Sequence, residues 1–233
     1  AMFAAWAANF GCARAARQFV CGSTAEEAIR AVVRMRHRGM TFTLDVLGET
    51  VIADRVAREL QALYIHLIGR LGAVSPQWSE LPMLDRAPWG PLPKVNISIK
   101  LTGIVAKFDP IDPAGTTASV IDRLRSIFSA ARRHGVFINI DMEHFAVKDL
   151  TLDIFKQILL EPEFRDWPDC GIVIQTYLRD ADRDMAGLID FARRRGTPVT
   201  VRLVKGAYWD AETAGAIRNG WPIPGYTHKS ESD

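Results

Sequence analysis

The sequence predicts an α/β fold with an all-parallel sheet of the (β/α)8 TIM-type barrel kind, and three observations carry that prediction. After residue 40, short β-rich runs alternate with longer runs whose apolar residues recur at three- and four-residue spacing. Such alternation implies right-handed βαβ crossovers and parallel pairing. The strand candidates are also nearly continuous in apolar residues, as in Ile172-Val173-Ile174, which suits strands covered on both faces. Finally, each strand delivers a polar residue at its C-terminal end: Asp45, Lys100, Asp141, Gln175 and Arg202. An open doubly wound sheet gives the same alternation but spreads its strand ends along a crevice, whereas a barrel gathers them around one mouth. The polar ends favour the barrel.

Residues 1–40 read as an N-terminal helical segment. Its opening run, Ala1 to Phe10, is apolar but short, and Arg14 and Arg17 follow it, the reverse of a signal peptide's charge order. A membrane span needs about 20 apolar residues, and Asn9 and Arg14 interrupt this one. An amphipathic helix packed on a neighbour is the better reading. Ser23-Thr24-Ala25-Glu26 reads as a capping box opening a helix over residues 24–38. Thr41 to Val46 is the first strand, followed by a helix over Val51–Leu71. A Pro-, Trp- and Gly-rich connection, Ser75 to Pro93, leads to the strand Val95–Leu101. The loop Asp109–Pro113 precedes a helix over Thr116–His134, Gly135 caps it, and the strand Val136–Ile140 follows. Helix Leu150–Leu160, strand Gly171–Gln175, helix Ala181–Arg195 and strand Pro198–Leu203 complete the series.

On this reading residues 41–233 form a partial barrel of about the first five βα units, cut before the last three strands. Starting on Ala1 and ending on Ser230-Glu231-Ser232-Asp233, the chain reads as cut at both ends. Five strands do not close an eight-strand barrel, and open edges expose unpaired backbone. The isolated chain is therefore expected to be catalytically weak or dead.

Hydrophobic content of 48% and charged content of 24% are those of an ordinary soluble globular protein. A net charge of +2 gives no basis for nucleic-acid binding, which needs a concentrated basic face. The three cysteines, Cys12, Cys21 and Cys170, are odd in number and lack metal-ligand spacing, as suits reduced thiols in a cytoplasm.

Lys100 closes an apolar strand, either as a lysine snorkelling at a strand end or as an ammonium aimed into the mouth to hold a carboxylate. Asp141, in Asn139-Ile140-Asp141-Met142-Glu143-His144, is a carboxylate at the end of a buried strand, costly unless paired or used. Asp141, Glu143 and His144 invite a metal reading, but they lack a partner ligand of suitable spacing, and Glu143 and His144 read as loop polar groups. Gln175 both donates and accepts, which suits a neighbouring backbone group or a heterocycle's edge. Asp45 and Glu49 are acids at the first strand's mouth, placed to pair Arg or Lys across the barrel. Strand side chains have period two, so Arg202 shares the inward face with Thr200 and Val204 and needs an anionic or electron-rich partner. The run that follows, Lys205-Gly206-Ala207-Tyr208-Trp209, combines a cation, a glycine that lets backbone approach a ligand, and two aromatics. The aromatics suit a core or a flat cofactor equally.

These segments, in this order, resemble the proline dehydrogenase family, especially the catalytic domain of bacterial bifunctional proline utilisation proteins. The matching stretches are Asp45–Glu49, Val95–Leu101, Asn139–Glu143, Gly171–Tyr177 and Val201–Asp210, and the resemblance runs from about residue 15 to the end. It implies a distorted (β/α)8 barrel that holds FAD at its mouth and oxidises L-proline to 1-pyrroline-5-carboxylate by hydride transfer to flavin N5. A quinone then reoxidises the flavin, in a cytoplasmic protein with peripheral contact to the inner membrane. By resemblance, Lys100 contacts the proline carboxylate, and Asp141 and Arg202 are the catalytic pair. Met142, Gln175, Arg202, Val204, Lys205, Gly206 and Ala207 line FAD, with Tyr208 and Trp209 adjoining, and Glu49 is an acidic gate. The family's paired arginines on a last helix, and a Thr-His-Asn segment that helps to hold FAD, fall beyond Asp233. Two rival readings stand beside this one: a non-catalytic fragment that needs a partner chain, and a metal-dependent barrel enzyme.

Overall fold

The computed structural model describes residues 20–47 and 51–232, so Cys12, the apolar opening run and Glu49 lie outside the described residues. In chain order the elements are α1 (Ala25–His37), β1 (Leu44–Asp45), α2 (Asp54–Val74), the single turn α3 (Pro82–Asp85), β2 (Arg86–Ala87), β3 (Gly90–Pro91), β4 (Asn96–Ile99), α4 (Pro113–His134), β5 (Phe137–Ile140), α5 (Phe145–Ile158), β6 (Cys170–Gln175), α6 (Ala181–Arg195), β7 (Thr200–Val204) and α7 (Trp209–Asn219). Strands β2 and β3 form a small separate hairpin. The other five pair in parallel, in the order β1-β4-β5-β6-β7. Each strand of this sheet lies beside the next one in the chain. With right-handed crossovers, that succession keeps every connecting helix on one side. A doubly wound sheet reverses its order at a switch point. This sheet does not, and it is the wall of a barrel.

Period-two alternation divides the sheet's two faces. Ile97, Ile99, Ile138, Ile140, Ile172 and Ile174 are buried in one core with Ile68 and Leu71 of α2, Leu124 and Phe128 of α4, and Phe155 of α5. The residues between them, Ser98 and Asn139, face the other way, as does Asp141 just past the end of β5. The hydrophobic effect thus fixes the register, because a one-residue slip would bury the polar set against the helices.

Several boundaries differ from the sequence expectation for identifiable reasons. The N-cap of α1 is Thr24, not Ser23: its side chain accepts from the Glu27 N–H at 3.2 Å, and the Glu27 carboxylate accepts from the Ser23 N–H at 2.7 Å. The capping box is shifted by one residue. The first strand shrinks from Thr41–Val46 to Leu44–Asp45, where it pairs with β4 alone. Helix α4 starts at Pro113, capped by Asp112, whose carboxylate accepts from the Gly115 N–H at 3.0 Å. Its C-terminal stop is as expected, with Gly135 at φ 63°. Helix α5 starts five residues before the expected Leu150, and its first N–H, on Phe145, is satisfied by the distant Glu212 carboxylate at 2.7 Å. Helix α6 matches its expected bounds, and the unexpected α7 buries only Ala216. No helix among the described residues is long and apolar enough to cross a membrane.

A buried ion pair attaches α1 to the Ser75–Pro93 connection. Arg36 donates to both oxygens of Asp85, at 2.9 and 2.7 Å, and to the Ser79 carbonyl at 3.2 Å, with its guanidinium over the Trp78 ring. Removing one member of such a pair strands the other's charge. Asp85→Ala is therefore expected to lower unfolding free energy by about 3–5 kcal/mol, measured by urea denaturation. A cost below about 1 kcal/mol would mean that the pair is solvated.

Candidate active site

Four of the parallel strands bring charged side chains to one end of the sheet. Lys100, just past β4, lies 2.5 Å from the Asp45 carboxylate on β1 and 3.9 Å from Oδ2 of Asp141, just past β5. Arg202 of β7 forms an ion pair with Asp141 Oδ1. The result is an alternating row, Asp45, Lys100, Asp141, Arg202, in which each charge has an opposite neighbour. The Asp141 and Lys100 side chains are only 15% and 16% exposed, whereas Arg202 is 40% exposed and opens towards solvent. Burial raises the Asp141 pKa above its ordinary value, and Arg202, Ser98 and Lys100 oppose that rise without cancelling it. Burial works against the Lys100 ammonium, yet the surrounding carboxylates, Asp45 first and then Asp141 and Glu143, outweigh it and carry the lysine pKa above normal. Lys100 is therefore a fixed cation at neutral pH.

Sequence reasoning missed two residues here. Ser98 and Asn139 are almost fully buried and both donate to Asp141 Oδ1 at 3.0 Å. Their signal was the placement of polar residues two positions before Lys100 and Asp141, on the same face of otherwise apolar strands.

Gln175 is buried at the end of β6, donates to the Glu143 carbonyl at 2.8 Å and accepts from the Ala207 N–H at 3.4 Å. It ties the loop after β5 to the turn after β7. Glu143, expected to be a loop polar group, is instead a buried strut whose carboxylate accepts from the Thr102 hydroxyl at 2.6 Å. The carboxylates of Asp141 and Glu143 thus have separate partners, while His144 packs edge-on against Tyr208 at 4.8 Å. A second acidic group, Asp149, Asp180 and Asp184, converges on the buried Lys148 ammonium, which supplies the cation there.

The turn Lys205-Gly206-Ala207 is exposed beside Arg202, while Val204 is half-buried. Its geometry is set from β6: the Thr176 N–H donates to the Val204 carbonyl at 2.8 Å and the Tyr177 N–H to the Lys205 carbonyl at 3.0 Å. Gly206 has φ 120°, and a methyl group there would overlap the Tyr177 ring. Trp209 begins α7 and donates through Nε1 to the Tyr226 carbonyl at 2.8 Å, and Met142 is buried in the core beneath the mouth. Arg202 Nε is buried without a hydrogen-bond partner. An unpartnered guanidinium N–H beside a turn whose central residue, Gly206, has no side chain suits a flat, anionic ligand.

Fold and mouth together define a (β/α)-barrel domain with its polar groups gathered where parallel strands end. The family model for proline dehydrogenase matches residues 28–233, and the chain belongs to that family. It is 31% identical over 218 residues to the bifunctional protein PutA of Escherichia coli, covering 93% of this chain and 16% of that protein. With proline dehydrogenase 1 of Bacillus subtilis it shares 30% identity over 211 residues, covering 87% of this chain and 56% of that protein. Among solved structures, proline utilization A from Bdellovibrio bacteriovorus inactivated by N-propargylglycine matches with a TM-score of 0.89 at 43% identity, covering 91% of this chain and 22% of that one. The chain thus spans less than two thirds of the length of each of these relatives.

Gly206→Ala combines a disfavoured backbone conformation with a clash against Tyr177. It is expected to cost about 1–3 kcal/mol in thermal denaturation. An unchanged transition would show that the turn rebuilds freely.

Proposed function

We propose that this chain supplies the flavin-binding face of an enzyme that oxidises L-proline to 1-pyrroline-5-carboxylate, with FAD as cofactor and a quinone as electron acceptor. The observation that carries this reading is the row Asp45, Lys100, Asp141, Arg202 beside the Gly206 turn, in a chain of the proline dehydrogenase family. FAD, when bound, supplies the hydride acceptor. Gln175, Arg202, Val204, Lys205, Gly206 and Ala207 would hold it, with Met142 as apolar backing and Tyr208 and Trp209 adjoining.

The chain's own groups divide the remaining work. Lys100 binds the substrate carboxylate, exchanging part of its contact with Asp45 for the incoming anion and orienting the ring. Arg202, held by Asp141, keeps a positive charge where a reduced cofactor gathers negative charge. Asp141 Oδ2, facing Lys100 at 3.9 Å, is the atom to receive a proton from the substrate nitrogen, and burial makes that carboxyl a better proton acceptor than a solvated one. Glu49 acts as a gate by resemblance alone. A cytoplasmic setting is supported by the free thiols of Cys21 and Cys170. Peripheral membrane contact and the quinone rest on the family reading.

A second reading, a segment that works only when another chain covers it, is favoured by Leu203, Ile217 and Trp221. These are 58%, 69% and 68% exposed on β7, α7 and the residues just after it. A well-behaved monomer in size-exclusion chromatography would speak against it.

The main reading is tested by dye reduction with L-proline in the flavin-loaded complete protein. Lys100→Met is expected to raise KM for L-proline roughly 10- to 100-fold, the loss of one charge-assisted contact, with a smaller effect on kcat. An unchanged KM would remove Lys100 from substrate binding, and a wild-type protein inert to L-proline would overturn the reading.

A further inference from the structure

Beneath Asp141 lie two buried polar side chains to which the proposed function gives no role. Ser98 and Asn139 are 1% and 3% exposed and directly opposite each other across the β4–β5 pairing. Polar groups in such a place are costly unless their hydrogen bonds are made. Here the donors form a closed set. Asn139 Nδ2 donates to Ser98 Oγ at 3.1 Å and to Asp141 Oδ1 at 3.0 Å, and the Ser98 hydroxyl donates to the same Oδ1 at 3.0 Å. A hydroxyl has a single proton, so accepting from Asn139 leaves it free to point at Asp141. Arg202 also approaches Ser98 Oγ, at 3.4 Å.

Three donors therefore converge on one carboxylate oxygen, and two of them are neutral and held rigidly by the sheet. The Arg202 guanidinium is the exposed member and the one that a ligand would engage. Ser98 and Asn139 hold Oδ1 whether or not Arg202 is so engaged.

We propose that Ser98 and Asn139 are positioning residues that pin Asp141 Oδ1, turn Oδ2 towards Lys100 and the mouth, and hold the carboxylate ionised. The inference rests on the role given to Asp141 above. It also carries a pH consequence. The charged and titratable groups facing Asp141 are Arg202 from β7, Lys100 after β4, Asp45 from β1, the Tyr64 phenol from α2 and the nearby Glu143. Burial already raises the Asp141 pKa, and Ser98 is among the groups that lower it. Hydrogen bonds to the charged form favour that form, so removing either donor raises the pKa further.

The test is a carbon-13 NMR titration of aspartate carboxyls in the complete protein without flavin, with the Asp141 signal identified by its loss in Asp141→Asn. Ser98→Ala is expected to move the Asp141 midpoint up by about one pH unit, the worth of one hydrogen bond to a charged group. Ser98→Thr keeps the hydroxyl and is expected to restore the wild-type midpoint. Asn139→Ala removes the other donor and reads the same upward shift, which keeps the test open if Ser98→Ala does not fold. An unmoved midpoint in either folded alanine variant, or a shift in Ser98→Thr equal to that in Ser98→Ala, would overturn the proposal. In the flavin-loaded protein, the pH profile of kcat/KM for L-proline is expected to move in the same direction; a fixed profile would also count against it. Because the titration uses neither flavin nor proline, a wild-type protein inert to L-proline would refute the proposed function and leave the cradle to be judged separately.

Discussion

Asp141 and Arg202 lie on strands separated by β6, and their ion pair joins the charged ends of the sheet into one unit. Asp141, the buried member, depends on this partner, because removing one member of such a pair leaves an uncompensated buried charge. Lys100 and Asp45 extend the compensation, so two acids and two bases share four strand ends. The inner face of these strands carries the polar residues Ser98, Asn139, Gln175 and Arg202, while the outer face carries the buried isoleucines that pack on the helices. The outer face drives folding, and the inner one is left to chemistry.

Around this row the loops are held by buried side chain to backbone bonds. Gln175 links the loop after β5 to the turn after β7, and Glu143 links it to Thr102 after β4. Tyr177 passes under Gly206 and fills the space that a side chain there would occupy. Three loops are thereby set relative to one another before any ligand arrives, as a preorganised site requires. The most exposed member of the row's cationic half, Arg202, is also the one with an unmatched buried donor, Nε.

The strands were legible because each apolar run ends on a charged or amide residue, and the order of those residues carried the family resemblance. Helix α6 was legible to the residue, since Arg193-Arg194-Arg195 followed by Gly196 is both a basic last turn and a C-terminal cap. The start of α5 was not, because Glu212, which satisfies its first N–H, lies 67 residues away. Helix α7 escaped notice because it buries so little that no apolar stripe marks it. At the site, strand-end position gathered Lys100 and Asp141 at the mouth and period two turned Arg202 inward, but Ser98 and Asn139 passed as neutral strand residues. Their importance comes from register between β4 and β5, which no single strand encodes. Gln175 read correctly as a donor and acceptor, yet its partners are loop backbone that folding alone brings near.

Under the proposed function, this charged row forms the proline- and flavin-facing side of a dehydrogenase mouth. The most direct measurement is the visible absorption spectrum of the purified complete protein under anaerobic conditions, before and after addition of L-proline. A yellow protein whose flavin bands bleach with L-proline is expected, with an Arg202→Ala variant in which bleaching is strongly slowed. A colourless protein, or flavin bands that persist in L-proline, would contradict the proposed function.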